Sequence, residues 1–179
     1  MLLFWRHGYD GVSVAQLATS MGIAPASLYV AFESKEALYR EALQRYLSSL
    51  GRLGVQDLEE AASAKEGVRT VLRTAARAFT RPDTPPGCMV GVGALRCSEE
   101  NRMAEDATAE LRRFSARAFH RRIERARQDG ELGKDVNAQA LTDFYSAVVQ
   151  GMSVLACDGA SRERLLRMAE QAMAAWPTA

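Results

Sequence analysis

Apolar residues recur at intervals of three and four along most of the chain, and they nowhere alternate in twos between hairpin turns, so the pattern predicts an all-helical protein. The opening segment, Met1 to about His7, reads as the end of a helix stopped by Gly8. Val14, Leu17, Ala18 and Met21 share one face of a second helix, begun by a Ser13 and Gln16 capping box and ended at Gly22. A third opens with Pro25 at the first helical position, where a missing amide hydrogen does no harm, and closes near Phe32; Ile23 is placed to pack on Leu28. Ser34 caps a fourth, which starts at Lys35 and carries Leu38, Ala42 and Tyr46 along one side until Gly51 and Gly54 weaken it.

Ser63 and Glu66 form a second capping box, for a helix through Val68, Val71, Leu72, Ala75, Ala76 and Phe79 that Pro82, Pro85 and Pro86 end. The apolar, glycine-rich GCMVGVGALRC is read as a short buried helix, although its length also suits a strand. A long helix follows from about Glu99 to Gln128, then a turn at DGELGKD. Two last helices, about Asn137 to Cys157 and Ser161 to Trp176, flank CDGAS, which brings the total to about nine.

Composition narrows the possibilities. With 47% hydrophobic and 25% charged residues and no uninterrupted apolar run of about 20, the chain is not expected to enter a membrane. MLLFWRHGYDG is too short in its apolar part for a secretory signal, so a cytoplasmic location is expected. Cys88, Cys97 and Cys157 match no metal-site spacing; they are expected in the core, with a redox sensor at Cys88 or Cys97 as the minor alternative, and no metal or other cofactor is expected. The histidines are His7 and His120 alone, no nucleophile elbow is present, and GVGAL lacks the flanking strands of a dinucleotide site, so catalysis is not expected. A net charge of +1 excludes a protein that coats nucleic acid by bulk electrostatics.

Two short helices joined across a glycine turn are the sequence form of a helix-turn-helix. The stretch DGVSVAQLATSMGIAPASLYVAFESKEALYREAL resembles the N-terminal DNA-binding region of TetR/AcrR-family transcriptional regulators, over Phe4 to about Tyr46. Gly8, Tyr9, Gly11, Ser13, Leu17 and Ala18 sit at the family's spacing, as do Gly22, Leu28, Tyr29, Phe32, Lys35 and Leu38. PGCMVGVGAL and FYSAVVQGMSVLACDGASRERLLRMAEQAMAAWP resemble, more weakly, the ligand-binding and dimerisation parts of one branch. The resemblance implies a three-helix DNA-binding domain at residues 1–46, with a first helix shorter than the family's, and a helical ligand-binding and dimerisation domain at 47–179. It implies a homodimeric regulator, a repressor released from a palindromic double-stranded DNA operator by a small-molecule effector. The alternative is a helical ligand-binding or interaction module without effective DNA binding.

The reading segment GIAPASLYVAF carries no charge, and residues 1–45 balance Arg6, Lys35, Arg40 and Arg45 against Asp10, Glu33, Glu36 and Glu41. Recognition is therefore expected to use the backbone. Ala24 at the cap accepts nothing from the first turn, which leaves backbone amides for a phosphate, aided by the helix dipole. Ser27 and Tyr29 offer hydroxyls, Lys35 one cation, and Pro25 and Ala26 are small enough to press on base edges such as a thymine methyl; Ser13 completes the set. Leu17, Ala18, Leu28 and Phe32 are assigned to the three-helix core.

Further along, Met89, Val92, Leu95 and Phe114, with Phe119, Phe144, Tyr145 and Met152, are candidates to line an effector cavity. Leu141, Val148, Gly151 and Leu155, with Leu165, Leu166, Ala169, Met173 and Trp176, exceed what one buried face requires and suit an intersubunit four-helix bundle. Arg113, Arg117, Arg121 and Arg125 stand at four-residue steps and are read as a solvated face paired with Glu110, Glu124 and Asp129.

Overall fold

A computed structural model describes residues 1–49 and 54–177. Among these the chain is all-helical: α1 (Leu2–His7), α2 (Val14–Met21), α3 (Pro25–Phe32), α4 (Lys35–Ser49), α5 (Val55–Glu60), α6 (Ala64–Phe79), α7 (Met89–Val92), α8 (Arg102–Gln128), α9 (Ala138–Cys157) and α10 (Arg162–Ala174), with a 3-10 turn at Glu99–Asn101 before α8. The helix beyond the expected nine is α5, a six-residue segment too short to show a hydrophobic period, held by the buried Leu58. Gly54, expected to weaken α4, is instead the left-handed N-cap of α5; Gly51 lies outside the described residues. The apolar segment after the prolines is helical for a single turn, α7.

The chain forms two units, Met1–Gly51 with Cys88–Leu111, and Arg52–Gly87 with Arg112–Ala179. In the first, Ser13 Oγ accepts from the Gln16 amide while Gln16 Oε1 accepts from the Ser13 amide, so the expected capping box opens α2. Gly22, at φ 69°, closes it in the left-handed region; the Gly22 and Ile23 amides both return to Ala18 O, and α3 leaves at 94° to α2. Ser34 Oγ accepts from the Ala37 amide at 3.0 Å and starts α4.

Aromatic rings fill this core. Phe4 stacks on Tyr9, both meet Tyr39 edge-on at 5.0 Å, and Trp5 meets Tyr46 at 4.9 Å. Residues 88–111 join this core through specific bonds: the Tyr9 amide donates to Gly93 O, and Asp10 accepts from the Ser98 amide and from Asn101 Nδ2. Tyr46 Oη and Cys88 Sγ lie 3.3 Å apart.

In the second unit α6 packs against α5, α9 and α10, burying Val68, Leu72, Ala75 and Phe79. Its start is Ser63, whose hydroxyl accepts from the Glu66 amide. Tyr145 is fully buried, donates to Ala172 O at 3.2 Å and leans on Trp176. Gly87, at φ 77°, brings the proline turn so close to α9 that a Cβ there would stand 2.7 Å from Cys157 Sγ and 2.9 Å from Ser153 O. By length and composition α9 alone among the described helices suffices to cross a membrane, a property shared with core helices, and its buried face carries Tyr145 and Met152. Of the cysteines, Cys88 is buried, Cys97 half-buried and Cys157 exposed, so the last departs from the expected core position.

The arginine stripe is paired differently from expectation. Arg121 and Arg125 both reach Glu59 of α5, and Arg127 pairs with Glu124 on its own helix. Arg122, off the stripe, is buried to 2% exposure and donates to Glu131 Oε1 at 3.0 Å.

Candidate nucleic-acid interface

Only Leu28 of α3 is buried, with Phe32 half-buried one turn on, and these two fasten the helix to the core of the first unit. Everything else on α3 faces solvent. Ser27 and Tyr29 are both exposed, Tyr29 by half, as are Ala24, Pro25 and Ala26. At about 100° per residue, position 30 stands roughly 160° from both Leu28 and Phe32. Val30 is therefore the crest of the outward face, 86% exposed. The sequence reading did not select it, although the helical wheel drawn from Leu28 and Phe32 would have.

The backbone at the start of α3 offers less than expected. Ala24 makes no side-chain cap and Pro25 has no amide hydrogen. The Ser27 and Leu28 amides both turn back to Ala24 O, at 3.0 and 3.3 Å. Among the described residues this leaves the Ala24 and Ala26 amides without a protein acceptor, at the end of a helix where anions bind.

The surroundings modulate charge. Lys35 Nζ sits 4.2 Å above the Tyr9 ring, a cation–π contact that holds the ammonium beside the head. Burial pushes the Lys35 pKa down, against the opposing pull of Asp10 and Cys97. The Tyr9 phenol is pushed up by burial and by Glu36 and Asp10. The Cys97 thiol is also pushed up, by burial, Asp10 and Glu105, which disfavours the thiolate a redox sensor requires. Ser13 is exposed, but its hydroxyl is held by Gln16. At the far end of α3, Glu33 has φ 60° and the Ser34 amide bonds Phe32 O across it, a strained three-residue turn on a non-glycine residue.

A right-angled helix pair with its second helix held by two residues and otherwise bare is the geometry of a DNA-reading head. The model of the bacterial regulatory proteins, tetR family, matches residues 1–42. The repressor BdcR of Escherichia coli K12 is 31% identical over 171 residues, 96% of this chain and 82% of its own. The chain belongs to the TetR family. The repressor ComR of the same organism is 29% identical over 178 residues, 99% of this chain and 85% of its own. Among solved structures, a cysteine mutant of the TetR family transcriptional regulator CifR, complexed with 26-bp double-strand operator DNA, is 44% identical with a TM-score of 0.93, covering 98% of this chain and 92% of that one.

The remaining candidates of this TetR-family chain fall in both units. Met89, Val92 and Leu95 lie in the first; Phe114, Phe119, Phe144, Tyr145 and Met152 lie in the second. Met89, Phe119, Tyr145 and Met152 are buried, whereas Leu95, Phe114 and Phe144 are exposed by 42 to 52%. A groove of about 410 Å³ between α1 and α2, lined by Leu3, His7, Val12, Ala15, Gln16, Thr19 and Ser20, contains none of them. Of the dimerisation candidates, Leu165, Ala169, Met173 and Trp176 are buried within the protomer. Leu141, Val148, Gly151, Leu155 and Leu166 stay half-exposed, beside the exposed Phe144 and Val154.

Proposed function

We propose that this TetR-family protein is a homodimeric repressor that seats α3 of each protomer in the major groove of a palindromic double-stranded operator and leaves it when a small-molecule effector binds. The bare outward face of α3 carries the reading: a helix anchored by Leu28 and Phe32 has a free surface to present, and the 44%-identical CifR is a complex with operator DNA. Phosphates are met by the Ala24 and Ala26 amides, by the Ser27 and Tyr29 hydroxyls and by Lys35, with Pro25 and Ala26 against base edges. Ser13 contributes by holding the start of α2.

The half-exposed residues of α9 and α10, namely Leu141, Val148, Gly151, Leu155 and Leu166, support a twofold bundle, and Gly151 permits close approach because a Cβ there would meet only Met168 Cε. Leu165, Ala169, Met173 and Trp176 support that face from beneath. For the effector, the second unit offers the apolar Phe119, Tyr145 and Met152, and also Thr84 Oγ1 and Ser146 Oγ, which are shielded from solvent without a partner among the described residues. A cytoplasmic location follows from this role.

Selection of duplexes with the full-length protein from a random pool, followed by binding across a salt series, tests the reading. A repressor recovers one palindrome and loses affinity with salt; a slope shallower than that of cation-rich readers is expected from so neutral a head. Recovery of no preferred duplex would instead support an effector-binding or interaction module.

A further inference from the structure

We propose that Val30 reads the pyrimidine 5-methyl group in the major groove, so that the operator is recognised at this step by methyl against hydrogen, and 5-methylcytosine substitutes there for thymine. This rests on the operator-binding reading and specifies its chemistry. Val30 is the crest of α3 and, among the described residues, the most exposed of the large apolar side chains, 86% open to solvent. An exposed β-branched side chain at the centre of a reading face has no role in packing the protomer; its apolar surface gains only when a partner covers it.

The rest of the face restricts which partner feature can be read. Ala26 and Ser27 flank Val30, with Tyr29 and Ala31 beyond them, and α3 carries no guanidinium, ammonium, amide or carboxylate. The bidentate pairings that distinguish guanine and adenine need those groups, and a serine hydroxyl bonds bases without discriminating them. The side-chain amide of Gln16 on α2 is engaged by Ser13 through its Oε1. What an alkyl crest distinguishes is the C5 substituent of the pyrimidine, the one apolar group on the major-groove edge. Thymine and 5-methylcytosine carry that methyl at the same position, and cytosine and uracil lack it.

The test uses the full-length protein and the duplex that it selects from a random pool, resynthesised with deoxyuridine at each thymine in turn. One position per half-site is expected to bind roughly fourfold more weakly as uracil, the factor that burying one methyl-sized group supplies. There, a 5-methylcytosine–guanine pair is expected to bind more tightly than a cytosine–guanine pair. Val30→Ala, which alters only exposed surface and should unfold like the parent, is expected to bind the thymine and uracil duplexes equally. If no uracil substitution weakens binding, or Val30→Ala discriminates thymine from uracil as the parent does, the inference falls while the repressor reading stands. If no duplex is enriched, both fall.

Discussion

Replacing the two members of the buried pair between Arg122 and Glu131 is expected to give very different results. The Arg122 side chain is 2% exposed, and one nitrogen, Nη2, donates to Glu131 Oε1 at 3.0 Å and to Ala61 O at 3.5 Å. Its Nε and Nη1 are buried without a partner among the described residues. Glu131 also accepts from the Ala64 amide at 2.6 Å, the first free donor of α6. Glu131→Ala leaves a buried guanidinium without its counter-charge, which costs about 3–5 kcal/mol when the site is dry. Because the Glu131 side chain is 28% exposed, its removal admits water to the guanidinium and the lower end, about 3 kcal/mol, applies, with roughly 1 kcal/mol more for the uncapped amide. Arg122→Met keeps most of the apolar stem and removes two unsatisfied donors, worth roughly 1–3 kcal/mol each, against loss of one charge-assisted bond of about 1.5–3 kcal/mol. The net change is expected to lie between roughly neutral and a gain of about 4 kcal/mol. The double variant should cost no more than the lost cap, so the two substitutions couple by about 2–3 kcal/mol. Urea unfolding at one fixed protein concentration, followed by helical circular dichroism, measures all four corners of the cycle. Equal costs for the two single variants, or a coupling below about 1 kcal/mol, would refute the argument that the arginine is tolerated only because of Glu131.

Leu28→Ala removes the fully buried anchor of α3 and is expected to cost about 2–5 kcal/mol and to abolish operator binding, whereas Tyr29→Phe should leave the unfolding midpoint unchanged and weaken binding roughly fivefold. Glu33→Gly relieves the φ 60° strain and removes a carboxylate beside the reading helix; the expected result is a gain of about 1 kcal/mol and tighter operator binding, and a loss of stability would show that the turn is unstrained. The Tyr145 phenol is pushed up to about 12 by burial, so the folded state holds its proton more tightly than the unfolded chain does. That contribution is complete below the ordinary tyrosine pKa of about 10 and is lost as pH rises toward 12. Tyr145→Phe is expected to flatten this alkaline limb in unfolding experiments, and an unchanged limb would assign it to other groups.

Local signals in the sequence determined most of the helices. The Ser13 box, Pro25 at the first helical position, Gly22 in the left-handed turn and the Asn137 and Ser161 caps act within a few residues of themselves, so their consequences are legible without knowing the fold. The helix-turn-helix was legible from the Gly22 turn between two short helices together with the family resemblance of that stretch, not from an amphipathic period in α3, whose outward face is apolar too. Tertiary packing decided the rest. No periodicity shows that residues 88–111 fold with the N-terminal segment, since that depends on the Tyr9 amide reaching Gly93 O and on Asp10 reaching Ser98 and Asn101. Nor does the four-residue arginine step reveal that Glu59 of α5 pairs with Arg121 and Arg125. Hydrophobicity placed Leu165, Met173 and Trp176 on an apolar face, but the fold alone shows that they are buried within the protomer and that Val30 is left uncovered. Side-chain chemistry fixes what a residue prefers locally, and only the arrangement of distant elements fixes which surfaces find a partner.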